Sequence, residues 1–296
     1  RDYQEWFIRR CFDAMNEVDP KDDPDFESLL EAQNRNVHSS HRNVGLVIET
    51  RPDLVDRDSL TWYRTLGVTK VQMGAQSLDD QILSLNKRGH TAQETLKATA
   101  LLRAGGFKVV LHWMPNLLGA TPESDREDFK RLWGAGAYCP DELKIYPCQL
   151  LENTALYDVW QSGAYQPYSE ATLLNLIADI KETVPRYCRI NRIIRDIPST
   201  YVVAGNKNSS LRQDIQREMK RRGTRCECVR CREIRSVQVT RKSIESHDLV
   251  YHPGKAEDIA RSKGYKKLAV IAAVGTRAYY AGRGFTQDQH YMVKTM

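Results

Sequence analysis

The chain has 296 residues, of which 41% are hydrophobic and 28% are charged. This length and composition suffice for one large folded domain and a smaller one, which excludes an intrinsically disordered chain. No run of about eighteen apolar residues occurs and no signal peptide opens the sequence, so we expect a cytoplasmic protein without a membrane partner.

Four short apolar segments predict β-strands, and a helical segment follows each of them. The segments are VGLVIET (44–50), KVQMGAQS (70–77), FKVVLHWMP (107–115) and ELKIYPC (142–148). Alternating strands and helices are typical of a parallel sheet flanked by helices. Thr91 and Glu94 predict a capping box, and Thr121 followed by Pro122 predicts a second helix start. Because four units are too few for an eight-stranded barrel, we predict an α/β partial barrel over residues 1–184.

The carboxyl ends of the predicted strands carry polar residues. Glu49 ends the first strand, Gln76 ends the second, and Asn116 follows the third. Binding sites of parallel sheets lie at this edge, so the pattern favours a ligand site there. A structural role at the rim of the sheet is the alternative for Glu49 and Gln76.

A basic segment follows the partial barrel and holds most of the positive charge. The formal net charge is +6, but residues 186–235 contain 14 Lys and Arg against five Asp and Glu. That stretch therefore carries +9 and the remainder carries −3. A local field of this size favours a polyanionic partner such as nucleic acid, although a solvated basic surface has the same composition.

The basic segment holds two different patterns. Arginines recur every three residues from Arg186 to Arg195, between Pro185 and Pro198, and this spacing leaves the secondary structure open. Residues 209–223 predict a helix that docks through an apolar stripe and turns its basic side chains outward. The stripe is Leu211, Ile215 and Met219, and the basic side chains are Arg212, Arg217, Lys220 and Arg221.

Three of the seven cysteines lie within six positions, at Cys226, Cys228 and Cys231. An odd, clustered set of cysteines is typical of a reducing compartment. The Cys-x-Cys-x2-Cys spacing lets three thiolates converge on one ion, and nearby arginines favour the thiolate form. We predict a zinc site whose fourth ligand is Cys188, Cys139 or a histidine. A redox-labile or merely packed cluster is the alternative, and the Cys-x3-Cys-x2-Cys spacing of a radical-type iron–sulfur cluster is absent from the sequence.

The last part of the chain, residues 246–296, shows a different order of predicted helices and strands. We predict a helix from Ala256 to Lys263, a strand in KKLAVIAA, and a short helix that bears Tyr279 and Tyr280. This order resembles the closing half of the GNAT acetyltransferase fold. There a tyrosine lies beside the acetyl-CoA thioester and can protonate the departing thiolate. Packing of both tyrosines as core and rim aromatics is the alternative.

Eight segments taken together resemble the catalytic subunit of Elongator. They are VGLVIETRPD, VQMGAQS, NKRGHT, FKVVLHWMPNLLG, PDELKIYP, RINRIIRDIP, GTRCECVRCREIR and KLAVIAAVGTRAYYAGRGF. The resemblance implies a partial TIM-like radical S-adenosylmethionine (SAM) barrel (1–184), a basic zinc-binding linker (185–245) and the C-terminal part of a GNAT acetyltransferase domain (246–296). It also implies an acyltransferase of the bacterial or archaeal stand-alone type that modifies the wobble uridine of tRNA, position 34, at carbon 5.

The family's chemistry brings four cofactors: a 4Fe-4S cluster, SAM, acetyl-CoA and zinc. In such enzymes the cluster cleaves SAM to a 5′-deoxyadenosyl radical, which removes hydrogen from the acetyl group, and the carbon radical attacks uridine. The resemblance implies acetyl-CoA hydrolysis that depends on tRNA. The implied partners are the tRNA anticodon stem-loop and either a second copy or Elongator-like subunits.

Carried over by position, the resemblance assigns roles to individual residues. It makes Tyr280 the catalytic acetyl-CoA contact, with Tyr279 beside it, and it makes Cys226, Cys228 and Cys231 zinc ligands. We expect Glu49 and Gln76 to contact SAM. We expect the tRNA contacts to be Arg189, Arg192, Arg195, Lys220, Arg221 and Arg222.

The sequence departs from the family pattern in two places. The cluster-binding cysteines and a lysine that reaches acetyl-CoA are expected upstream of Arg1. The Gln/Arg-x2-Gly-x-Gly loop that binds the coenzyme A pyrophosphate has no counterpart before Lys255. We therefore expect segments to be missing at the start and near residues 250–255. Two other functions stay open: a protein-lysine acetyltransferase, which would share Tyr280, and a catalytically inactive tRNA-binding scaffold.

Overall fold

The computed structural model describes residues 1–19, 28–233 and 255–296. The chain packs as two compact units. The larger unit comprises Ile48–Ser59 and Val71–Glu233, and the smaller one comprises Arg1–Val47, Leu60–Lys70 and Ile234–Met296. Residues 234–254, which include the end of the predicted linker and the start of the predicted acetyltransferase segment, lie outside the described residues.

The described strands are β1 (Val47–Thr50), β2 (Lys70–Gln76), β3 (Lys108–Trp113), β4 (Glu142–Ile145), β5 (Gln149–Leu151), β6 (Arg189–Arg192), β7 (Val202–Gly205), β8 (Lys267–Val270), β9 (Thr286–Asp288) and β10 (Tyr291–Thr295). The described α-helices are α1 (Asp2–Met15), α2 (Leu29–Asn36), α3 (Arg57–Thr65), α4 (Asp80–Leu85), α5 (Ala92–Ala104), α6 (Pro122–Lys130), α7 (Ala155–Gln161), α8 (Glu170–Glu182), α9 (Leu211–Arg221), α10 (Lys255–Ser262) and α11 (Arg277–Ala281). Among the described helices, none combines the length and the apolar character needed to cross a membrane.

A five-stranded sheet in the order β1-β2-β3-β4-β6 organises the larger unit. β4 pairs in parallel with β3 on one side and with β6 on the other. The four predicted strands are confirmed, and the arginine-spaced segment whose structure was open supplies the fifth strand. The predicted border at residue 184 therefore falls inside this unit, because β6 completes the sheet.

Helices cover the sheet where the sequence predicted them. The Thr91 and Thr121 side chains each accept a hydrogen bond from the backbone N–H three residues later, which confirms both predicted helix starts. The apolar stripe of α9 is fully buried, as predicted. Arg212 departs from the outward orientation expected of the basic residues of α9. Its guanidinium is largely buried and donates a hydrogen bond of 3.1 Å to the Ile190 carbonyl of β6.

The smaller unit contains a three-stranded antiparallel sheet in the order β8-β10-β9. Ala272, Phe285 and Met292 form its small core, against which Tyr280 packs. The helix, strand and short helix predicted for this part of the chain are observed as α10, β8 and α11. α1 packs against α2 in the same unit, where Asn16 donates a hydrogen bond of 2.8 Å to the Ala32 carbonyl.

Two buried carboxylates on α6 hold the turns that follow β2 and β3. Asp128 accepts hydrogen bonds from the Leu78 backbone, the Ser77 hydroxyl and the Trp113 indole. Asp125 accepts bonds of 2.8 Å from the Asn116 backbone and 2.9 Å from the Tyr168 hydroxyl. Burial raises the pKa of Asp125 from 3.8 to about 7, even though both donors favour the carboxylate. The turns at the carboxyl edge are therefore fixed from the helix side of the sheet.

The raised pKa of Asp125 predicts a pH-dependent stability. A carboxyl group whose folded-state pKa is raised stabilises the fold below its unfolded pKa, and this contribution is lost as the pH rises through the folded value. From about pH 4 to about pH 8 the wild-type free energy of unfolding should fall by up to about 4 kcal/mol relative to Asp125→Asn. The asparagine oxygen can keep both hydrogen bonds, because one carboxylate oxygen of Asp125 accepts them both.

Urea unfolding followed by tryptophan fluorescence at several pH values measures this difference. Glu123→Gln is the matched control, because Glu123 lies on the same helix with an exposed side chain. Parallel pH profiles for wild type and Asp125→Asn would contradict the assignment.

Candidate functional site

A cavity of about 300 Å³ lies at the carboxyl edge of the sheet in the larger unit. All five strands of the sheet and the segment after β6 contribute to it. Its lining residues are Glu49, Gln76, His112, Met114, Lys144, Tyr146, Arg192, Arg195, Asp196 and Ile197. The sequence predicted a ligand site at this edge, and Glu49 and Gln76 do lie in one cavity.

Strand register places three polar side chains of the cavity in one row. His112 of β3 is paired with Lys144 of β4, and Lys144 is paired with Arg192 of β6. Because neighbouring positions in register point to the same face of a sheet, these side chains converge. The next residues, Trp113 and Ile145, point to the opposite face and are buried there.

His112 is a neutral imidazole at neutral pH. Burial, with help from Lys144 and then Arg195, lowers its pKa from 6.5 to about 4. Its Nε2–H donates a hydrogen bond of 2.9 Å to the Gln72 side-chain oxygen. The Nδ1 atom is then an acceptor, 3.5 Å from a Glu49 carboxylate oxygen, and forms no ion pair with it. The cavity thus offers an imidazole acceptor as well as the Glu49 carboxylate.

Two cations flank the aromatic ring of Tyr146. The Lys144 ammonium lies 5.9 Å and the Arg195 guanidinium 5.8 Å from the ring centroid. Arg192 forms an ion pair with Asp196. The cavity therefore combines cationic and anionic groups, which suits a ligand that carries both a carboxylate and an ammonium group.

Gln76 is held in a strained conformation at the end of β2. Its φ of 66° is in the left-handed region that non-glycine residues rarely adopt. Gly74 makes room for its side chain, because a Cβ at Gly74 would lie 2.8 Å from the Gln76 amide nitrogen. The Gln76 amide oxygen is buried, and no described residue donates a hydrogen bond to it. A ligand with a donor group would satisfy this oxygen.

Sequence reasoning missed His112, Lys144 and Gly74 as parts of this cavity. A lone histidine such as His112 is weak evidence of a site in a sequence. The available signal was a polar side chain inside an apolar strand run, as in VVLHW and ELKIY. In a strand covered on both faces, such a residue indicates a polar pocket or a buried hydrogen-bonding partner.

The three clustered cysteines form a second centre on the same unit. The sulfur atoms of Cys226, Cys228 and Cys231 all lie within 4.8 Å of one another. Cys226 and Cys228 are buried, and Cys231 is partly exposed. Hydrogen bonds from the Cys226 and Cys231 thiols lower the pKa of Cys228 and favour its thiolate.

The geometry of this cysteine cluster fits a zinc ion. Zinc–sulfur bonds of about 2.3 Å in a tetrahedron place sulfur atoms about 3.8 Å apart, so the cluster needs to contract by only about 1 Å. Among the described residues, no fourth cysteine, histidine or carboxylate belongs to the cluster. Cys188 is buried close to Cys228, whose charge adds to burial in raising the pKa of Cys188. The Cys139 thiol instead donates to the Gly134 carbonyl.

A buried lysine and a partly buried arginine lie near the cysteine cluster. Lys181 is fully buried and lines a cavity of about 460 Å³ together with Cys226 and Cys231. Its ammonium has no hydrogen-bond partner among the described residues. The pKa of Arg212 is lowered, first by burial and then by the neighbouring Arg230. The three cysteines oppose this shift, because their negative charge favours the guanidinium cation. A site with three thiolates and a divalent ion is an anion, so these cations balance its charge.

The cysteine loop covers the open edge of β6. The Val229 N–H donates to the Cys188 carbonyl at 3.0 Å, and the Ile190 N–H donates to the Cys228 sulfur. Arg186 forms an ion pair of 2.9 Å with Glu227. An uncovered edge strand exposes unpaired backbone groups, so the loop completes the sheet at this side.

The six side chains predicted to contact tRNA differ in whether carboxylates already pair with them. Carboxylates engage four of them: Arg189 pairs with Glu233, Arg192 with Asp196, Arg221 with Glu218, and Arg222 with Glu218 and Asp179. Arg222 also contacts Asn175 and so joins α9 to α8. In the described part of the chain, Arg195 and Lys220 have no carboxylate partner and are exposed.

The two predicted acetyl-CoA tyrosines lie on α11 in the smaller unit. Tyr279 is half exposed, and the Arg283 guanidinium lies 4.5 Å from its ring centroid. Tyr280 packs edge-on against Phe285, with 5.7 Å between the ring centroids. The two tyrosines are therefore adjacent, but they differ in exposure.

Comparisons with known proteins agree with this fold. A model of the radical SAM superfamily matches residues 2–132, and a model of the radical SAM C-terminal domain matches residues 140–221. The solved structure of "the archaeal Methanocaldococcus infernus Elp3 with N-terminus deletion (1-46)" superposes with a TM-score of 0.87 and 32% identity. It covers the whole of this chain and 87% of that one.

Curated relatives fall into two named groups. A "tRNA uridine(34) acetyltransferase" of Methanocaldococcus infernus is 43% identical over 233 residues, which are 79% of this chain and 42% of the relative. An "Elongator complex protein 3" of Danio rerio is 30% identical over an alignment of 373 positions, which covers all of this chain and 67% of the relative. The chain thus spans less than half the length of the archaeal relative.

The cysteine cluster predicts one bound zinc ion that stabilises the larger unit. Cys228→Ser should abolish zinc binding, and at free zinc near 100 times the dissociation constant it should cost about 2.7 kcal/mol of stability. Metal analysis of the purified protein and urea unfolding measure both effects. Cys11→Ser is the control, because Cys11 is exposed and lies in the other unit. Stoichiometric zinc in Cys228→Ser would refute the assignment of this ligand.

Proposed function

Because the chain belongs to the Elongator complex protein 3 family, we propose that it modifies the wobble uridine of tRNA at carbon 5 by radical SAM chemistry. The acyl donor in this proposal is acetyl-CoA, and the protein is an acyltransferase whose acetyl-CoA hydrolysis is stimulated by tRNA. The curated relatives named for this activity are longer than this chain, so the activity of the whole protein is part of the proposal.

The observation that carries the proposal is the polar cavity at the carboxyl edge of the sheet. Glu49, Gln76 and His112 supply acceptors, while Lys144, Arg192 and Arg195 supply cations. A basic rim beside a set of hydrogen-bond acceptors suits a nucleic-acid substrate together with a charged cofactor. A protein-lysine acetyltransferase, whose substrate is itself cationic, would have no use for this rim.

The cavity residues fit SAM. When it is bound and reduced, SAM supplies the carbon-centred radical that starts the reaction. In this proposal Glu49 accepts hydrogen bonds from the SAM ammonium and the buried Gln76 oxygen accepts from another polar group of the ligand. Lys144 or Arg192 pairs with its carboxylate. These residues orient the cofactor and exclude water from the reacting atoms.

The residues of this chain do not fit the iron–sulfur cluster. The described cysteines form only the group at residues 226–231, whose spacing differs from that of a radical-type cluster. The proposal therefore assigns no step to any cysteine of this chain. Zinc at the cysteine cluster has a structural role in the proposal: it fixes the arginine-bearing loop on β6.

Tyr280 is the proposed acetyl-CoA contact, with Tyr279 next to it. In this role the Tyr280 hydroxyl donates a proton to the thiolate that leaves the thioester. The other partners in the proposal are the tRNA anticodon stem-loop, which meets the basic rim, and a second copy or Elongator-like subunits.

The proposal predicts that tRNA stimulates acetyl-CoA hydrolysis and that Tyr280→Phe lowers the stimulated rate by about tenfold or more. The phenylalanine ring keeps the contact with Phe285 and removes only the proton donor. Thiol release is measured with and without tRNA, and tRNA affinity is measured in parallel and should not change. Tyr265→Phe is the control, because it removes the hydroxyl of an exposed tyrosine in the same unit.

Three outcomes separate this proposal from its rivals. Stimulation by a basic peptide and not by tRNA would indicate a protein-lysine acetyltransferase. Binding of tRNA with hydrolysis at background would indicate an inactive scaffold. An unchanged stimulated rate in Tyr280→Phe would show that the assignment of this residue is wrong.

The exposed Lys220 is expected to contact a phosphate group of tRNA, and this contact can be measured. Lys220→Gln should weaken tRNA binding several-fold and should reduce the slope of log affinity against log salt by about 1. Arg222→Gln should instead lower stability, because Arg222 joins α9 to Asp179 and Asn175 of α8. Filter binding at several salt concentrations measures the slope. Lys97→Gln on α5 is the control, and equal slopes for Lys220→Gln and this control would remove Lys220 from the interface.

A further inference from the structure

A second cavity of about 240 Å³ adjoins the first one at the carboxyl edge of the sheet. The two cavities share Arg195, Asp196 and Ile197 as a common wall. Its other lining residues are Gln149, Ile194, Pro198, Ser199, Asn206, Lys207, Asn208 and Ser209. The proposed function assigns no ligand to it.

The β5–β7 ribbon builds this cavity. Gln149 of β5 is opposite Gly205 of β7. Gly205 has a φ of 96°, and a Cβ there would lie 2.9 Å from the Cys148 carbonyl oxygen. A glycine is therefore required where the two strands approach, and it brings the Asn206 carbonyl next to the Gln149 side chain.

The Gln149 amide has a fixed orientation. Its nitrogen donates a hydrogen bond of 2.7 Å to the Asn206 carbonyl, which identifies the other amide atom as the oxygen. That oxygen is buried, and no described residue donates a hydrogen bond to it. An unsatisfied buried acceptor is costly unless a ligand supplies the donor.

The neighbouring loop cannot supply that donor, because its amides are already used. The Asn208 side-chain nitrogen donates hydrogen bonds of 2.9 Å to Glu170 and 2.6 Å to Asp214. Its side-chain oxygen accepts a hydrogen bond of 2.8 Å from the Ser210 N–H. In the described part of the chain, the Asn206 side chain bonds only within the loop, to Asn208. These bonds also make the loop a preorganised wall for the cavity.

The remaining walls of the second cavity suit a ligand with a flat ring that is linked on both sides to an anionic chain. Ile194, Ile197 and Pro198 give an apolar surface, and Ser199 and Ser209 add hydroxyl groups. At the rim, Lys207 and Arg195 are exposed cations without a carboxylate partner in the described ranges. A splayed-out nucleotide needs a surface for its ring, hydrogen-bonding partners for the base edge and cations for its phosphates, and this cavity offers all three.

We propose that this second cavity holds the uracil base of the substrate, with its N3–H donating to the Gln149 side-chain oxygen. The inference rests on the proposed function and adds to it the residue that selects uridine. Cytosine places an unprotonated N3 at the same position, so two acceptors would face each other there. The shared wall at Arg195 keeps the base next to any ligand in the first cavity, which positions the two for reaction.

The test compares anticodon stem-loop RNAs that differ only at the wobble position, bound to the whole protein. The wobble nucleoside is uridine, cytidine or 3-methyluridine, and the last of these lacks the N3–H donor. Fluorescence anisotropy should show that the RNA with uridine binds about tenfold or more tighter than the RNA with cytidine or with 3-methyluridine. Gln149→Leu should lose this preference, with uridine RNA falling to the affinity of cytidine RNA.

Two controls keep this test decisive. Gln161→Leu changes an exposed glutamine at the end of α7 and should keep the preference. Lys207→Gln should weaken all three RNAs alike. Circular dichroism and thermal unfolding check that Gln149→Leu folds. The comparison with 3-methyluridine RNA uses the wild-type protein, so it does not depend on the folding of any variant.

The outcomes separate the inference from the function on which it rests. Equal affinity of the wild-type protein for the three RNAs would overturn the uracil site and leave tRNA binding intact. A preference that survives in folded Gln149→Leu would overturn the role of Gln149. Failure of every RNA to bind would overturn the proposed function itself.

Discussion

The parallel pairing of β3, β4 and β6 is the constraint on which the candidate site depends. Pairing in register puts His112, Lys144 and Arg192 side by side, although they are separated by 32 and 48 positions along the chain. Three polar groups in such proximity could not be held by flexible loops without a large entropic cost. Hydrogen bonds between strands hold them, and the same bonds bury Trp113 and Ile145 on the other face.

The helix side of the sheet controls the loops that complete the cavity. Asp128 anchors the turn after β2, which follows directly on Gln76, and Asp125 anchors the turn after β3 through Asn116. Both carboxylates are buried, so their hydrogen bonds are strong but their ionisation is costly. The strained backbone of Gln76 and the left-handed Asn116 are thus maintained by interactions outside the cavity.

β6 connects the two candidate centres. Its middle residue, Ile190, bonds to the cysteine loop and to Arg212, while Arg192 at its end lines the cavity. A metal ion at the cysteine cluster would therefore order the strand that carries Arg192 and the following Arg195. In this arrangement the cysteine cluster supports the strand that leads into the cavity.

The sequence by itself determined the parallel sheet, the helix starts, the apolar stripe of α9, the family, and the convergence of three cysteines. The sheet, the helix starts, the stripe and the cysteine cluster each follow from a local period, a local cap or a short spacing. The family follows instead from the resemblance of eight segments spread along the chain. The sequence left β6 undecided, because its arginines obscure the strand pattern until β4 and the cysteine loop pair with its two edges. For His112 and Lys144 it offered only a weak signal, a polar residue within an apolar strand run, and for Gln149 it offered none.

Only the tertiary structure decided which polar residues meet and which cations remain free. Lys144 becomes part of a site through its partners in register, and Gln149 does so through an unsatisfied oxygen beside Asn206. Arg222 and Arg212 carry the same charge as Arg195, yet the first is engaged by carboxylates and the second is largely buried beneath the cysteine loop. Charge and residue type are properties of the sequence, whereas burial and hydrogen-bond partners depend on contacts between distant segments, which only the folded chain brings together.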